Sequence, residues 1–364
     1  MKNPGGRRAA IFVNATLIFI CLVWLIPTVG LLVSSFRQPD DIQNSGWWTV
    51  FPHPDQVKVS EIPIPAGLDT SGVMTIEGVS GTFDEFRAGI KSADGGQVTW
   101  VGNKRAGRIE IQRQAITANT NFTLDNYGKV LTGKDYELTS QDGSIQVVHG
   151  DDMSGAFINS LVVAIPSTLI PILVAAFAAY GFAWMRFAGR TVLFMLVVAM
   201  LVVPLQIALV PILRDYVSIG LNGTYLAVWL AHTGFGLALA IFLLYNYISE
   251  LPRDIMESAF IDGASHFQTF WRLIMPLSVP ALAAFAIFQF LWVWNDYLVA
   301  LIFIGAKSDT QVVTQRLVEI VGSRGDAWHL LTAGAFISML LPLLVFFSLQ
   351  RYFVRGLMAG SVKG

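Results

Sequence analysis

The sequence has 364 residues, 54% of them apolar and only 13% charged, and its mean hydropathy is +0.57. This balance excludes an ordinary soluble domain and predicts a polytopic membrane protein. The formal net charge of -1 excludes no class of partner, but the single cysteine, Cys21, excludes an intramolecular disulfide, and the five histidines lack metal-ligand spacing.

The N-terminus predicts a membrane anchor. Residues 1–8 form a short basic tail, and residues 9–36 are an apolar run long enough to cross about 30 Å of hydrocarbon as a helix. A cleaved signal peptide, the alternative, would have a shorter apolar core and a small-residue cleavage site, which we do not find. We therefore predict that residues 9–36 are transmembrane helix 1.

Residues 37–152 are polar and rich in turn-forming residues. Several short segments alternate in polarity, and such segments separated by turns predict strands. They lie at residues 57–64, 73–79, 97–101 and 108–112. We predict a small β-rich domain inserted at about 46–118, and an interfacial aromatic anchor at Trp47 and Trp48, just beyond transmembrane helix 1.

Apolar runs dominate from residue 153 to residue 350 and predict five further spans. Prolines inside such runs are tolerated in membranes and mark kinks. The predicted spans are 157–185, 191–213, 226–247, 277–304 and 330–353, with prolines at 166, 171, 204 and 342, and residues 351–364 form a C-terminal tail.

Basic residues are concentrated in alternate connecting segments, and lysine and arginine favour the cytoplasmic side of short loops. With six spans, this asymmetry predicts that both termini and the segment 250–276 are cytoplasmic. The region 37–152 is then extracytoplasmic.

The segment 250–276 is the most polar stretch between two long apolar runs, and it predicts two short helices. Pro252 suits the first turn of a helix, Gly263 suits the left-handed residue after its end, and Ser265 with Gln268 has capping-box spacing. Pro276 is predicted to end the second helix. The first helix has a narrow apolar stripe of Ile255, Met256, Ala259 and Phe260. This stripe suits either a groove on a partner or the lipid surface.

The letters of this segment resemble the "EAA" loop of bacterial ABC importer permeases. The resemblance lies in Glu257-Ser258-Ala259, in Asp262-Gly263-Ala264-Ser265 and in Ile274-Met275-Pro276, and the chain departs from the family at Ser258 and Met275. In that family the loop docks in a cleft of the ATP-hydrolysing subunit, so we call residues 250–276 the coupling loop. The resemblance implies that the ATPase-coupling residues are Glu257, Ser258, Ala259, Asp262, Gly263, Ala264 and Phe267.

Polar residues inside the predicted spans are candidates for a translocation path. Asn295 and Asp296 lie in predicted span five, in a run that resembles a recurrent feature of sugar permeases, and a charge within a span requires a partner or water. Gln206 and His232 are candidates on the same argument. The alternative for each is a brace hydrogen-bonded to a neighbouring helix.

Two further segments resemble maltose-type permeases. Residues 319–328 resemble the region that enters the sugar cleft of the binding protein, which implies binding-protein contacts at Gly322, Ser323, Arg324 and Gly325. The C-terminus resembles the tail that reaches the ATPase interface, which implies contacts at Gly356, Leu357, Ala359 and Gly360. A frayed, membrane-anchoring terminus is the alternative reading of the tail.

No nucleotide-binding loop is predicted. The run from Gly128 to Lys134 has P-loop spacing, but Asp135 stands where a magnesium-binding Ser or Thr is required. The resemblance therefore implies that the chain is not an enzyme, and that ATP and Mg are bound by a partner ATPase.

Taken together, the resemblance implies an all-α polytopic membrane protein with six transmembrane helices of the type I ABC importer permease fold and a small β-rich extracytoplasmic insertion between helices 1 and 2. It implies one permease subunit of a carbohydrate importer of the maltose or α-glucoside type in the bacterial inner membrane. The implied partners are a second permease subunit, two ATPase subunits, an extracytoplasmic sugar-binding protein, the sugar and membrane lipids, but no nucleic acid.

Other functions fit parts of the sequence. An ABC permease for a polyol or glycerol phosphate would share these motifs. A secondary transporter should carry several intramembrane carboxylates and repeat symmetry, and only Asp296 qualifies. A membrane-anchored sensor would need a cytoplasmic output domain, and the coupling loop is too short to be one. The insertion is predicted to dock the binding protein, to brace the partner permease or to act as a passive spacer.

Overall fold

The computed structural model describes residues 4–64, 68, 70, 72–93, 95–104, 107–132, 135–139, 145–148, 150–323 and 327–359. Within these ranges, the side chains of residues 4–8, 136, 138–139, 146, 148, 322–323 and 353–359 are outside the description. The chain divides into two compact units, Met1–Thr123 and Leu124–Gly364.

The first unit begins with α1 (Pro4–Ser35), of which Ala9–Ser35 is long and apolar enough to cross a membrane. A short helix α2 (Pro39–Asn44) and a 3-10 turn (Trp47–Val50) follow it. The indole of Trp47 lies against Gly30, where an added Cβ would come within 2.7 Å of Nε1. A side chain at residue 30 would therefore displace the indole from α1.

The rest of the first unit is a small α+β fold. Its elements are β1 (His53–Pro63), β2 (Met74–Ile76), β3 (Val79–Gly81), α3 (Phe83–Ala88), β4 (Ile90–Lys91), β5 (Gln97–Val101) and β6 (Arg108–Thr117). Antiparallel pairing gives a four-stranded sheet in the order β1-β6-β5-β4 and a separate β2-β3 hairpin. Phe83, Phe86, Trp100 and Ile109 are buried between α3 and the sheet, which is the apolar core that such a small domain requires.

The β-rich character is as predicted, with two differences. The predicted strand 73–79 is wrong as one strand, because the chain turns at Glu77 and Gly78, both with positive φ, and returns as β3. Helix α3 was not predicted, although Thr82 and Glu85 form a capping box at its N-terminus. The hydrogen bonds from Thr82 also hold the pKa of the Glu85 carboxyl below its ordinary value.

Hydrogen bonds join the two ends of the inserted segment. The buried guanidinium of Arg37 donates to the backbone oxygens of Ser45 and Asp41, at 2.9 and 2.8 Å. The backbone N–H of Asn119 donates to the Thr49 oxygen at 2.8 Å, and its side-chain amide donates to the Asp41 carboxylate at 2.5 Å. The polypeptide therefore enters and leaves the sheet at one place.

The second unit is mostly helical. It begins with α4 (Asp125–Leu131) and a hairpin of β7 (Tyr136–Thr139) and β8 (Ile145–Val148), which was not predicted. Gly128 lies inside α4, while Gly133 and Lys134 lie outside the described residues. The helices that follow are α5 (Met153–Trp184), α6 (Arg190–Ala199), α7 (Leu205–Ser218), α8 (Tyr225–Ser249), α9 (Arg253–Ile261), α10 (His266–Thr269), α11 (Met275–Leu277), α12 (Val279–Asn295), α13 (Leu298–Phe303), α14 (Val313–Ser323) and α15 (Trp328–Ala359).

Four helices of the described chain are long and apolar enough to cross a membrane: Ala9–Ser35, Met153–Trp184, Tyr225–Ser249 and Trp328–Tyr352. Two bent pairs raise the number to as many as six if each pair is one span. One pair is Arg190–Val202 with Leu205–Ser218, bent by 104°, and the other is His266–Leu277 with Val279–Asn295, bent by 73°. The bend at Pro204 shows that predicted span 191–213 is not one continuous helix.

Helices α5 and α8 form the centre of this unit. Their contact faces are rich in alanine, which lets two helix backbones approach closely. The buried alanines are Ala156, Ala164, Ala175, Ala176 and Ala179 on α5 and Ala227, Ala231 and Ala240 on α8. One end of this pair packs with α12 and α15, and the other end packs against residues of the coupling loop.

Candidate functional site

The first helix of the coupling loop ends as its sequence predicts. Gly263 has a φ of +80°, in the left-handed region. Its N–H donates to the Phe260 oxygen at 3.1 Å, and the N–H of Ala264 donates to the Ala259 oxygen at 3.0 Å. These two bonds are those of a Schellman motif, which satisfies the last carbonyls of α9 and redirects the chain. The bend between the two short helices therefore rests on one glycine.

The second helix of the loop begins at the predicted capping box. The Gln268 side chain accepts from the N–H of Ser265 at 2.9 Å, and the Ser265 hydroxyl accepts from the N–H of Gln268 at 3.3 Å. The prediction that Pro276 ends this helix is wrong. The chain passes from α10 through a π-helical turn (Phe270–Ile274) and through Pro276 in α11, and it bends only after Leu277.

The wide π turn has a physical cause in Pro276. A proline ring inside a helix has no N–H to donate and collides with the carbonyl four residues before it, here that of Arg272. Widening the turn that contains Arg272 removes this collision, and such turns often occur at functional sites.

Most of the predicted coupling residues are accessible on the loop. Glu257, Ser258, Asp262, Gly263 and Phe267 are exposed, and Ala259 and Ala264 are half-buried. The bend between α9 and α10 also leaves an open cleft of about 420 Å³, lined by Ala259, Asp262, Gly263, Ala264, Gln268, Thr269, Arg272 and Leu273.

The apolar stripe of α9 is divided between the interior and the surface. Met256 is buried among residues of α5, α8 and α12, whereas Ile255 and Phe260 are each 38% exposed. Ile261, which was not among the predicted residues, is 84% exposed, and Phe267 is 66% exposed. A surface with these large apolar side chains beside Glu257 suits a protein partner.

Predicted span five, 277–304, is not continuous, and the break falls at Asp296. Helix α12 ends at Asn295, and α13 begins at Leu298. The Asp296 carboxylate accepts from the N–H groups of Val299 and Ala300, at 2.8 and 3.3 Å. The Thr314 hydroxyl of α14 donates to the Asp296 backbone oxygen at 2.8 Å. These bonds satisfy three of the backbone groups at the break, which an apolar surrounding requires.

The other polar candidates of the spans do not gather into one site. The Asn295 amide donates to the Leu291 oxygen of its own helix at 2.7 Å, and Gln206 is exposed on α7. His232 is buried on α8, with Nε2 3.9 Å from the Asp296 carboxylate. Nε2 therefore makes a contact between helices, whereas Nδ1 has no hydrogen-bond partner among the described residues.

The predicted binding-protein segment lies at the end of α14. Gly322 and Ser323 are in the last turn of that helix, while Arg324 and Gly325 lie outside the described residues. Helix α14 was not predicted. It is fixed to α5, because the N–H of Val313 donates to the Ser160 hydroxyl at 2.8 Å.

The predicted C-terminal contacts fall at the limit of the description. Gly356, Leu357 and Ala359 belong to the backbone of α15, which extends beyond the predicted span 330–353, and Gly360 lies outside the described residues.

Comparisons with known proteins agree on one family. A family model described as "binding-protein-dependent transport system inner membrane component" matches residues 156–358. The chain is 45% identical to the alpha-glucoside transport system permease protein AglG of Rhizobium meliloti (strain 1021), over 100% of both chains. It is 46% identical to the osmoprotective compounds uptake permease protein GgtD of Synechocystis sp. (strain ATCC 27184 / PCC 6803 / Kazusa), over 96% of this chain and 91% of that relative.

One further relative and one solved structure are also similar to this chain. The arabinooligosaccharides transport system permease protein AraQ of Bacillus subtilis (strain 168) is 30% identical over 71% of this chain and 88% of its own. A crystal structure of a bacterial ABC transporter involved in the import of the acidic polysaccharide alginate matches 97% of this chain and 99% of that chain, with a TM-score of 0.61 and 14% identity. At that identity the structural similarity concerns the fold alone. The full-length match to AglG also runs through the β-rich insertion, which the family model does not cover.

Proposed function

The chain belongs to the family of binding-protein-dependent transport system inner membrane components, and from this premise we propose that it is a permease subunit that imports α-glucosides or related oligosaccharides. The observation that carries the choice of substrate is the 45% identity to AglG over both complete chains. A second candidate substrate is an osmoprotective compound, because GgtD is similar to the same extent. As a member of this family the chain is a transport component and not an enzyme.

The proposed topology has six membrane spans, one of which is the bent pair α6 and α7. Both termini and the coupling loop are cytoplasmic, and residues 37–152 are extracytoplasmic. The distribution of lysine and arginine over the connecting segments supports this orientation. The six spans require that α6 with α7 cross the bilayer as one span despite their bend of 104°, and that α12 cross it beyond the 73° bend that separates it from the coupling loop.

The proposed assembly contains a second permease subunit, two ATPase subunits and an extracytoplasmic sugar-binding protein. ATP and Mg are bound by the ATPase, so this chain contributes a docking surface and half of the translocation path. Closure of the ATPase pair moves the docked coupling loop, and the loop changes the arrangement of the helices. The nucleotide site of the ATPase and the translocation path are then linked by a coupling free energy, and the coupling loop is the element through which each affects the other.

Within this mechanism the exposed residues of the coupling loop contact the ATPase. Glu257 supplies a charge for pairing, Ile261 and Phe267 supply apolar area, and the bend at Gly263 presents both helices to one cleft of the partner. The tail at Gly356, Leu357, Ala359 and Gly360 is proposed to reach the interface between the two ATPase subunits. For the insertion at about 46–118, docking of the binding protein is our proposal.

For Asn295 and Asp296 the contacts favour a bracing role over a role as sugar ligands. The carboxylate of Asp296 already has two N–H partners, and Asn295 is bonded to its own helix.

The function is tested by reconstituting the chain with its cognate second permease subunit, ATPase and binding protein. Uptake into proteoliposomes is measured for maltose, sucrose, trehalose and melibiose, with sorbitol and glycerol 3-phosphate as competing classes. ATP-dependent uptake of an α-glucoside supports the proposal. Uptake of the polyol or the phosphate alone, or uptake that continues without ATP, contradicts it.

Replacing Glu257 with alanine is expected to weaken ATPase binding by at least about tenfold, because loss of one member of an interfacial charge pair leaves the other unpaired. The measurement is the affinity of the detergent-solubilised permease pair for the purified ATPase. Asp254 is a matched control, since it is an exposed acid in the first turn of the same helix and lies outside the predicted contact residues. Equal losses for Glu257→Ala and Asp254→Ala would show that charge alone, and not this position, matters.

Deletion of residues 322–325 is expected to leave ATPase assembly intact and to reduce sugar uptake by about tenfold or more, since the segment is proposed to act in the cleft of the binding protein. Co-elution of the ATPase and uptake are measured on the same preparation. Uptake equal to that of the parent would remove this role.

A further inference from the structure

An aromatic and hydrogen-bonded contact joins the coupling loop to α5, a helix far from it in the sequence. Tyr180 Oη and His266 Nδ1 lie 2.8 Å apart, and the hydroxyl donates when Nδ1 carries no proton. One turn earlier on α5, the ring of Phe177 stacks on Phe270, with centroids 4.0 Å apart and planes 20° apart. Because residues three or four apart share a helix face, the pair 177 and 180 faces the pair 266 and 270.

Burial makes this contact costly to open. Tyr180 is 3% exposed and Phe270 is 1% exposed, so separating α5 from the loop would expose two aromatic rings and a hydroxyl without its partner. His266 is the polar partner of that hydroxyl, although His266 itself is largely exposed. Its ring also contacts Phe260 on α9, with centroids 5.1 Å apart. Through one imidazole, both short helices of the loop are joined to α5.

The connection from the loop to α12, which follows it in the sequence, is of a different kind. The chain bends by 73° between Leu277 and Val279, next to the π turn. The hydroxyl of Ser278 at this bend is buried with no hydrogen-bond partner among the described residues. A sharp bend directly after a π turn marks an interruption of the regular helix, and π turns often occur at functional sites.

We propose that Tyr180 and His266 are positioning residues that clamp the coupling loop to α5, so that loop and α5 move together while the bend at Ser278 absorbs motion relative to α12. This proposal rests on the proposed function, because the movement of the loop is driven there by the ATPase. According to this proposal, the loop passes its motion mainly to α5, and not to α8 or α12, which are its neighbours in the sequence.

The test uses the complete reconstituted importer and the disaccharide of the panel that the parent imports best. The quantity measured is the number of sugar molecules imported per ATP hydrolysed. Tyr180→Phe keeps the buried ring and removes the hydroxyl, and His266→Leu removes the partner nitrogen. Both are expected to lower this ratio by about threefold, because the ATPase still turns over while the loop slips against α5.

His266→Asn is the conservative variant, since its amide oxygen occupies nearly the position of Nδ1 and can accept from Tyr180. It is expected to keep the parental ratio. A clamp that acts only on stability would change the amount of folded complex but not the ratio. Unchanged ratios for Tyr180→Phe and His266→Leu, or a drop for His266→Asn equal to that for His266→Leu, would overturn the clamp.

A second measurement addresses joint movement directly. In a Cys21→Ser background, the double variant Tyr180→Cys with His266→Cys is bridged by a short bifunctional thiol reagent. If loop and α5 move together, the bridged importer works at least as well as the same variant before bridging. Loss of import on bridging would overturn the proposal. A parent importer that shows no ATP-dependent uptake would instead contradict the proposed function, so the two failures are distinguishable.

Discussion

Replacing Gly263 with proline is expected to reduce ATP-driven import by at least about tenfold, while the chain still inserts in the membrane. Proline cannot adopt the φ of +80° and has no N–H to donate to the Phe260 oxygen, so the Schellman motif is lost. An added Cβ meets nothing within 4 Å, so the effect arises from the backbone and not from a collision. Uptake by proteoliposomes and the amount of chain in the membrane fraction are the two measurements.

Gly220 supplies a matched control outside the coupling loop. Its φ is +69°, its N–H donates to the Val217 oxygen at 3.1 Å, and an added Cβ there also meets nothing within 4 Å. Gly220→Pro therefore carries a similar local cost and is expected to keep most of the import activity. Parental uptake by Gly263→Pro, or equal losses at the two glycines, would show that the bend in the loop is not what transmits the motion.

Replacing Asp296 with leucine is expected to lower the free energy of unfolding by about 3 kcal/mol, because backbone N–H groups at the break lose their acceptor inside the bundle. The affected groups are the N–H of Val299 and that of Ala300, and His232 loses its nearby carboxylate as well. Thermal unfolding of the detergent-solubilised chain measures this change. Import is expected to fall in parallel, as α13 loses its fixed direction.

Asp296→Asn is the matched control because an amide oxygen still accepts from both N–H groups. It is expected to keep most of the stability and of the import. If Asp296→Leu is as stable and as active as Asp296→Asn, the carboxylate does not stabilise the break between α12 and α13. If asparagine abolishes import without loss of stability, Asp296 belongs to the translocation path and the bracing role is wrong.

The end of α9 and the start of α10 in the coupling loop could be predicted because their signals are local. A positive φ at Gly263 and the capping box of Ser265 with Gln268 depend on residues a few positions apart. The strand 97–101 was likewise predicted with its observed bounds. Its polar and apolar residues alternate in the sequence, and their side chains alternate between partly and fully buried in the structure.

The breaks within the predicted spans could not be obtained in the same way. Hydropathy reports how apolar a run is and does not report whether its helix is continuous. Pro204 indicated a kink but not a bend of 104°. At Asp296 there is neither proline nor glycine, and the break depends on a carboxylate that receives N–H groups from the following turn and on Thr314 from α14. Contacts such as Tyr180 with His266 join residues 86 positions apart and leave no local pattern.

The hydrogen bond between the Thr49 oxygen and the Asn119 N–H has a consequence for how such a chain could have been enlarged. These two backbone atoms lie 2.8 Å apart, although about seventy residues separate them in the sequence. The entropic cost of closing a loop rises only slowly with its length, so closing this one costs little more than closing a short one. A gene that gained or lost the residues between Thr49 and Asn119 would leave two chain ends that a short turn can join, so we expect such a change to be compatible with the helical unit.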